Sequence, residues 1–345
     1  MKTNHQSPSP INSRENVLID KFGRQISYVR LSVTDRCNLR CVYCMPREKM
    51  RFLPRDELLS FEEIVRLMHI LASLGIRKVR ITGGEPFVRK DIIKLIEFIS
   101  EIEGIERIHI TTNGILTSKF IPQLKEMGIR GINLSLDTLD SRKFYELTRR
   151  DNFKAVMDSF HKILEYEIPL KINTVLLDGI NTDEIIPLSL LARDYPVDVR
   201  FIEEMPFNGN PHNPAKIRWD YRQILEVLFQ EYPDITKIPD SPHSTSMNYR
   251  IPGFQGNVGV IAGYSRLFCG QCNRIRINAK GLLQTCLYGS PELNVKELLR
   301  KHDDDDIIKE ALQTQVNKKY RNGWEAEKAN IAARIANESM SIIGG

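Results

Sequence analysis

Along the chain, short apolar runs rich in β-branched residues alternate with longer stretches whose apolar positions recur every three or four residues. The runs predict strands near Ile26 to Val33, Lys78 to Thr82, Arg107 to Thr111, Ile132 to Leu136, Lys171 to Leu176 and Val199 to Ile202. Between them, Phe61, Ile64, Val65, Met68 and Leu71 form one helical stripe, and Phe153, Val156, Met157, Phe160 and Leu164 form another. Ser60 with Glu63 makes a capping-box start for the first helix, and Gly75 follows Leu74 where that helix should stop. Repeated βα units predict an α/β fold with a parallel sheet, with its chemistry at the strand C-terminal ends. Periodicity does not choose between an open sheet and part of a barrel.

The two ends of the chain break this pattern. Residues 1–24 are rich in Pro, Ser and Asn without periodicity and read as a flexible lead-in. After Pro206 comes a Pro, Asn and Gly stretch to Pro214, then a helix near Tyr221 to Phe229 and short strands, so 25–206 reads as the repeated βα unit and 207–345 as a C-terminal module. No role is assigned to 1–24 or to Asn208–Ile217.

Composition narrows the class. The 345 residues, 41% of them hydrophobic, can bury a sizeable core, and no apolar run is long enough for a membrane span. The N-terminus lacks the apolar stretch of a signal peptide, so the expected location is cytoplasmic. The formal charge of +5 is too small and scattered for a nucleic-acid surface, although it suits a small anionic substrate.

The six cysteines change the picture most. Cys37, Cys41 and Cys44 form one tight group, and Cys269, Cys272 and Cys286 another, which suits metal ligation better than disulfide pairing. CxxxCxxC after a strand brings three thiolates to one centre, and three ligands leave a coordination position open for chemistry. A structural zinc would need a fourth ligand, and none lies close by in sequence. CxxC followed by Cys286 again gives three, and there the spacing alone fits a zinc ribbon as well as an iron–sulfur cluster.

With Tyr43 between its last two cysteines, the first group resembles the cluster motif of the radical S-adenosylmethionine superfamily. That resemblance implies a [4Fe–4S] cluster whose open iron is chelated by S-adenosylmethionine, and reductive cleavage to methionine and a 5′-deoxyadenosyl radical. Thr82-Gly83-Gly84-Glu85-Pro86 would by itself be an ordinary strand-to-helix turn, as would Thr111-Thr112-Asn113-Gly114. In the superfamily the GGEP element contacts the methionyl amino group. Tyr43, Gly84, Thr111, Ser135 and Met205 match cofactor-binding positions.

Around the second group, Arg274 and Arg276 alternate on a predicted strand and so face one side together. Arg30, Arg80 and Arg200 lie within apolar strands, where each needs either a buried carboxylate partner or an anionic ligand. His69, His109 and His161 lack evident partners and read as incidental.

Here the resemblance narrows to the GTP 3′,8-cyclase family of molybdenum cofactor biosynthesis. It covers residues 14 to 345 and rests on RLSVTDRCNLRCVYCMP, VRITGGEP, TTNG, SLDTLD, KINTV, RFIEEM, FCGQCNRIR and the terminal Ile343-Gly344-Gly345. It implies an incomplete (βα)6 TIM-type barrel with a C-terminal module carrying a second [4Fe–4S] cluster. GTP would bind that cluster, its triphosphate held by Arg30, Arg80, Lys171, Arg200, Arg274 and Arg276. Gly344 and Gly345, otherwise a disordered end, would reach the active site and be needed for catalysis. The family also implies an external one-electron reductant, a homodimer and a downstream cyclic pyranopterin monophosphate synthase. Two rival readings are a radical peptide-modifying enzyme with an auxiliary cluster, which usually carries more cysteines in its C-terminal domain and lacks the paired arginines and Gly-Gly end, and a ferredoxin-like electron carrier, which would need four ligands per cluster.

Overall fold

The apolar runs become a parallel sheet because each strand is followed by an amphipathic segment that folds back over it. The structure is a computed structural model and describes residues 17–45, 52–205 and 219–329. Gly344, Gly345, the Pro206 to Pro214 stretch and residues 1–16 lie outside the described residues. The first six strands are β1 (Tyr28–Ser32), β2 (Lys78–Thr82), β3 (Arg107–Thr112), β4 (Gly131–Ser135), β5 (Leu170–Leu176) and β6 (Asp198–Glu203). Helices α1 (Phe61–Ser73), α2 (Ile92–Ser100), α3 (Ile121–Glu126), α4 (Ser141–Thr148), α5 (Phe153–Glu165) and α6 (Ile185–Asp194) connect them.

Both halves of the capping box on α1 form: Ser60 accepts from the Glu63 N–H at 3.1 Å, and Glu63 accepts from the Ser60 N–H at 2.7 Å. Past its end Gly75 has φ +87°, a conformation that costs glycine nothing.

After these come α7 (Tyr221–Glu231), β7 (Thr236–Lys237), β8 (Met247–Arg250), β9 (Asn257–Ile261), β10 (Arg274–Ile277), β11 (Leu282–Gln284) and β12 (Leu293–Asn294). Helices α8 (Val295–Lys301), α9 (Asp305–Asn317) and α10 (Gly323–Ala329) end the described chain. The strands form one sheet in the order β12-β11-β10-β1-β2-β3-β4-β5-β6-β9-β8-β7. Thus the later strands do not make a sheet of their own: β9 extends the parallel run beyond β6, and β10 extends it beyond β1.

Side chains alternate strictly across this sheet. Leu31, Ile81, Ile110, Ile132, Ile172 and Phe201 face the helices and pack with Ile64, Leu95 and Phe160 in the core. The intervening positions face the concave side, and the parallel register sets Arg276, Arg30, Arg80 and His109 side by side on four adjacent strands. The curled sheet is a partial TIM-like barrel, as the family resemblance implies.

The lead-in is shorter than its composition suggests. Leu18 is buried and its N–H donates to the Leu74 carbonyl, while Asp20 accepts from the Phe22 and Arg24 N–H groups and pairs with the Arg24 guanidinium at 2.5 Å. Residues 17–24 therefore form an ordered turn against the barrel. Composition hid this because one buried leucine and one aspartate anchor it. Among the described residues no helix is long and apolar enough to cross a membrane.

Candidate active site

Two adjoining cavities occupy the concave side, one at each cysteine group. The smaller, about 200 Å³, is lined by Cys37, Cys41, Cys44, Tyr43, Gly84, Thr111, Ser135 and Met205, among others. The larger, about 950 Å³, takes in Cys269, Cys272 and Cys286 together with Arg30, Arg80, Lys171, Arg200, Arg274 and Arg276. Asn173, Ile202 and Met205 line both, so the two spaces meet at the middle of β5 and the end of β6. Every described site residue expected from the sequence thus faces one or the other.

The loop carrying the first cysteines is fixed by backbone bonds. The Arg40 and Val42 N–H groups donate to the Thr148 and Leu147 carbonyls at the end of α4, each at 3.0 Å, and the Cys44 N–H donates to the Cys41 carbonyl at 3.1 Å. The Cys37 sulfur accepts from the Leu39 N–H at 3.3 Å and from Asn113 Nδ2 at 3.6 Å. Burial, then the charge of Glu85, pushes the Cys37 thiol up to about 12. Burial and then Asp137 push Cys41 up as well.

The paired glycines pack tightly against the chain itself. A Cβ on Gly84 would lie 2.4 Å from the Arg36 carbonyl oxygen, and one on Gly83 would lie 2.6 Å from that of Thr34. The close approach they permit is by the chain's own Thr34–Arg36 segment, which leads into Cys37, and the Gly84 N–H donates to Thr34 at 2.8 Å. Both glycines still border the cavity. Glu85 is buried below, accepting from the Phe87 and Asn113 N–H groups and the Thr112 hydroxyl at 3.1, 2.7 and 2.9 Å.

Tyr43 donates its hydroxyl to Asp137 Oδ2 at 2.8 Å, and the other Asp137 oxygen accepts from the Val175 N–H at 2.8 Å. Burial raises that carboxyl to about 6. Asp137 closes the motif Ser135-Leu136-Asp137, but β-strand alternation alone did not single it out. Thr111 Oγ1 and Asn173 Oδ1 are buried without a hydrogen-bond partner. Three thiols, a close-packed glycine turn and unspent polar atoms make a donor set that fits a cluster and an amino-acid-bearing cofactor.

At the second group the surroundings are cationic. Half-buried Arg30 and Arg200 and buried Arg80 each keep a buried Nε without a hydrogen-bond partner, as does Nη2 of Arg274. Burial holds the Arg200 and Arg276 guanidinium groups down at about 10. Although burial alone would raise Tyr28, the charges of Arg80, Arg30 and Lys78 bring it down to about 8. Lys78 and Tyr28 belong to the cavity wall and were legible in hindsight, being two positions before Arg80 and Arg30 on the same faces.

Lys171 pairs with Asp198 on the adjacent strand. His109 is no incidental residue: it lines the large cavity with Nδ1 buried and without a hydrogen bond, and burial followed by Lys78 and Arg80 holds it down at about 3. It therefore joins the wall as a neutral ring.

The second cysteines line this cavity without disulfides. Burial raises Cys272, but Lys319 and Arg274 outweigh it and bring that thiol down to about 6. Three half-buried thiols under a positive field make a donor set that fits a thiolate-bound metal centre.

Residues 31–192 match the family described as "Radical SAM superfamily", and residues 197–324 match "Molybdenum Cofactor Synthesis C". The chain is 42% identical over 337 residues to the "GTP 3′,8-cyclase, mitochondrial" of Arabidopsis thaliana, covering 97% of this chain and 85% of that protein. It is 39% identical over 334 residues to the "GTP 3′,8-cyclase" of Clostridium perfringens (strain 13 / Type A), covering 94% and 99%. "Molybdenum cofactor biosynthesis protein 1" of Bos taurus is 42% identical over 327 residues, covering 94% of this chain and 51% of that protein, so the chain spans about half the length of that relative. Among solved structures, Streptococcus suis SuiB bound to S-adenosylmethionine superposes with a TM-score of 0.59 at 17% identity, covering 85% of this chain and 68% of that one, a likeness of fold.

Proposed function

The chain belongs to the GTP 3′,8-cyclase family of radical S-adenosylmethionine enzymes, and from that premise we propose that it converts GTP to (8S)-3′,8-cyclo-7,8-dihydroguanosine 5′-triphosphate, the first step of molybdenum cofactor biosynthesis. The observation that carries this reading is the pair of adjoining cavities, each with three cysteines, the larger of them lined by arginines with unspent donors. A radical S-adenosylmethionine enzyme uses a [4Fe–4S] cluster and S-adenosylmethionine, and when bound they supply one-electron, hydrogen-abstracting chemistry at the first cysteine group.

The chain's own residues hold and orient. Cys37, Cys41 and Cys44 are the ligands of that cluster, with Gly84, Thr111, Ser135, Tyr43 and Met205 lining the cofactor's space. In the larger cavity Arg30, Arg80, Arg200, Arg274, Arg276 and Lys171 bind the triphosphate, because a polyanion returns the electrostatic stabilisation that buried guanidinium groups lose on leaving water. Cys269, Cys272 and Cys286 would hold a second cluster, which would offer an open iron to the purine.

Asn173, Ile202 and Met205, shared by both cavities, mark where C3′ of GTP meets the first site. Fixing C3′ and C8 of one nucleotide against this wall makes ring closure an oriented intramolecular step. Gly344 and Gly345 are assigned to the same reaction on the family pattern. GTP, an external reductant, a second copy and a downstream synthase are the partners this reading entails, in the cytoplasm.

The test is anaerobic reconstitution with iron and sulfide, then incubation with S-adenosylmethionine, dithionite and GTP, with products resolved by liquid chromatography and mass spectrometry. GTP-dependent 5′-deoxyadenosine together with an isomer of GTP is the expected result. Formation of 5′-deoxyadenosine with GTP unconsumed would leave the superfamily assignment standing and remove the substrate.

A further inference from the structure

Behind the second cysteine group lies a lysine that the proposed reaction has not used. Lys319 follows α9 and is only 2% exposed, among the largest fully buried side chains of the protein. Its ammonium donates to the Arg274 carbonyl at 3.0 Å and to the Thr285 carbonyl. Those carbonyls stand two residues after Cys272 and one before Cys286. One side chain thus bridges the two arms that carry the ligands.

The same turn also reaches the third cysteine. Arg24, from the ordered turn before β1, donates to the carbonyls of Tyr320 and Arg321 at 2.6 and 2.8 Å and to that of Cys269 at 3.1 Å. The Gly323 N–H is directed to the Cys269 sulfur. All three ligand arms are therefore tied to Lys319–Gly323, a segment that does not itself line the substrate cavity.

What balances the charge of Lys319 follows from its surroundings. Among the described residues no carboxylate forms an ion pair with it, and a buried ammonium held by carbonyl dipoles alone would cost several kcal/mol. Its charge favours the thiolate form of both Cys272 and Cys286. Lys319 is not among the residues that line the large cavity.

Building on the reading that this group carries a cluster, we infer that Lys319 is a positioning residue that supplies the second cluster's counter-charge and holds its ligand arms together. A fixed positive charge beside a cluster favours the reduced, more negative state, so its loss should lower the midpoint potential.

The test uses the full chain in two backgrounds, one retaining only the second cysteines (Cys37→Ser, Cys41→Ser, Cys44→Ser) and one retaining only the first (Cys269→Ser, Cys272→Ser, Cys286→Ser). Iron and sulfide content and the midpoint potential, followed by electron paramagnetic resonance, are measured after anaerobic reconstitution. Lys319→Gln, which keeps a donor and loses the charge, should lower the second cluster's potential by about 59 mV or more, a tenfold change for one electron. Lys319→Arg should restore most of it, and iron in the first-site background should be unchanged.

An unshifted potential with full iron in the Lys319→Gln second-site chain would overturn the counter-charge role. Equal iron loss in both backgrounds would also overturn it, since that is general misfolding. A second-site chain with Lys319 intact that bound no iron and sulfide would instead remove the second-cluster reading, and this inference with it.

Discussion

The two cysteine groups offer the same number of thiols to opposite electrostatic surroundings. At the first, burial and Glu85 push Cys37 up to about 12, and the nearest charged side chains, Asp137 and Glu85, are acidic. At the second, Lys319 and Arg274 overcome burial and bring Cys272 down to about 6, with a bank of arginines across the cavity. Identical ligand counts therefore do not make identical sites. The first is a tight space with neutral Thr111, Ser135 and Asn173 on its wall, suited to a cofactor that carries its own balanced charges; the second is built for anions.

The sharpest way to break this contrast is to remove one ligand from each side. Cys41→Ala should abolish 5′-deoxyadenosine formation altogether, whereas Cys286→Ala should abolish GTP consumption and leave slow, uncoupled S-adenosylmethionine cleavage. Product analysis of both variants reads the difference, and identical losses would mean that the sites do not divide the work.

Thiol reactivity in the metal-free chain gives the next largest separation. With Cys272 titrating at about 6 it is mostly thiolate at neutral pH, while Cys37, at about 12, is almost entirely thiol. Iodoacetamide labelling, followed by peptide mass spectrometry, should level off near neutral pH for Cys272 and still be rising at pH 10 for Cys37. Superimposable profiles would erase the contrast.

Smaller effects sharpen the assignment within each site. Arg276→Ala removes a charged donor from the triphosphate wall and should weaken GTP turnover by roughly tenfold to a hundredfold, the equivalent of about 1.5–3 kcal/mol. The change should fall on GTP dependence, with uncoupled cofactor cleavage retained. Gly84→Ala forces a Cβ to within 2.4 Å of the Arg36 carbonyl and should cost about 1–3 kcal/mol, read as a lower Tm and reduced iron at the first group alone.

Much of the frame was legible in the sequence because it is local. The strands at Lys78–Thr82 and Arg107–Thr112 and the capped start of α1 follow from alternation and from Ser60 with Glu63, all within a few residues. The cysteines announced themselves through spacing, and Arg30, Arg80 and Arg200 through their improbable place in apolar strands. Less visible was anything completed from far away. Lys319 meets Thr285 from 34 positions off, Arg24 meets Cys269 from 245, and Tyr43 finds Asp137 from 94. The glycine turn is another such case, since its missing side chains make room for a neighbouring strand exit, a contact that local sequence does not encode.

The central claim, that the first site draws hydrogen from a GTP held by the second, is tested most directly with GTP deuterated at C3′. The anaerobically reconstituted chain would be incubated with it, S-adenosylmethionine and dithionite, and the 5′-deoxyadenosine weighed by mass spectrometry. The proposed reaction predicts 5′-deoxyadenosine one mass unit heavier, appearing alongside a cyclised triphosphate. Unlabelled 5′-deoxyadenosine, or labelled GTP recovered intact, would contradict it.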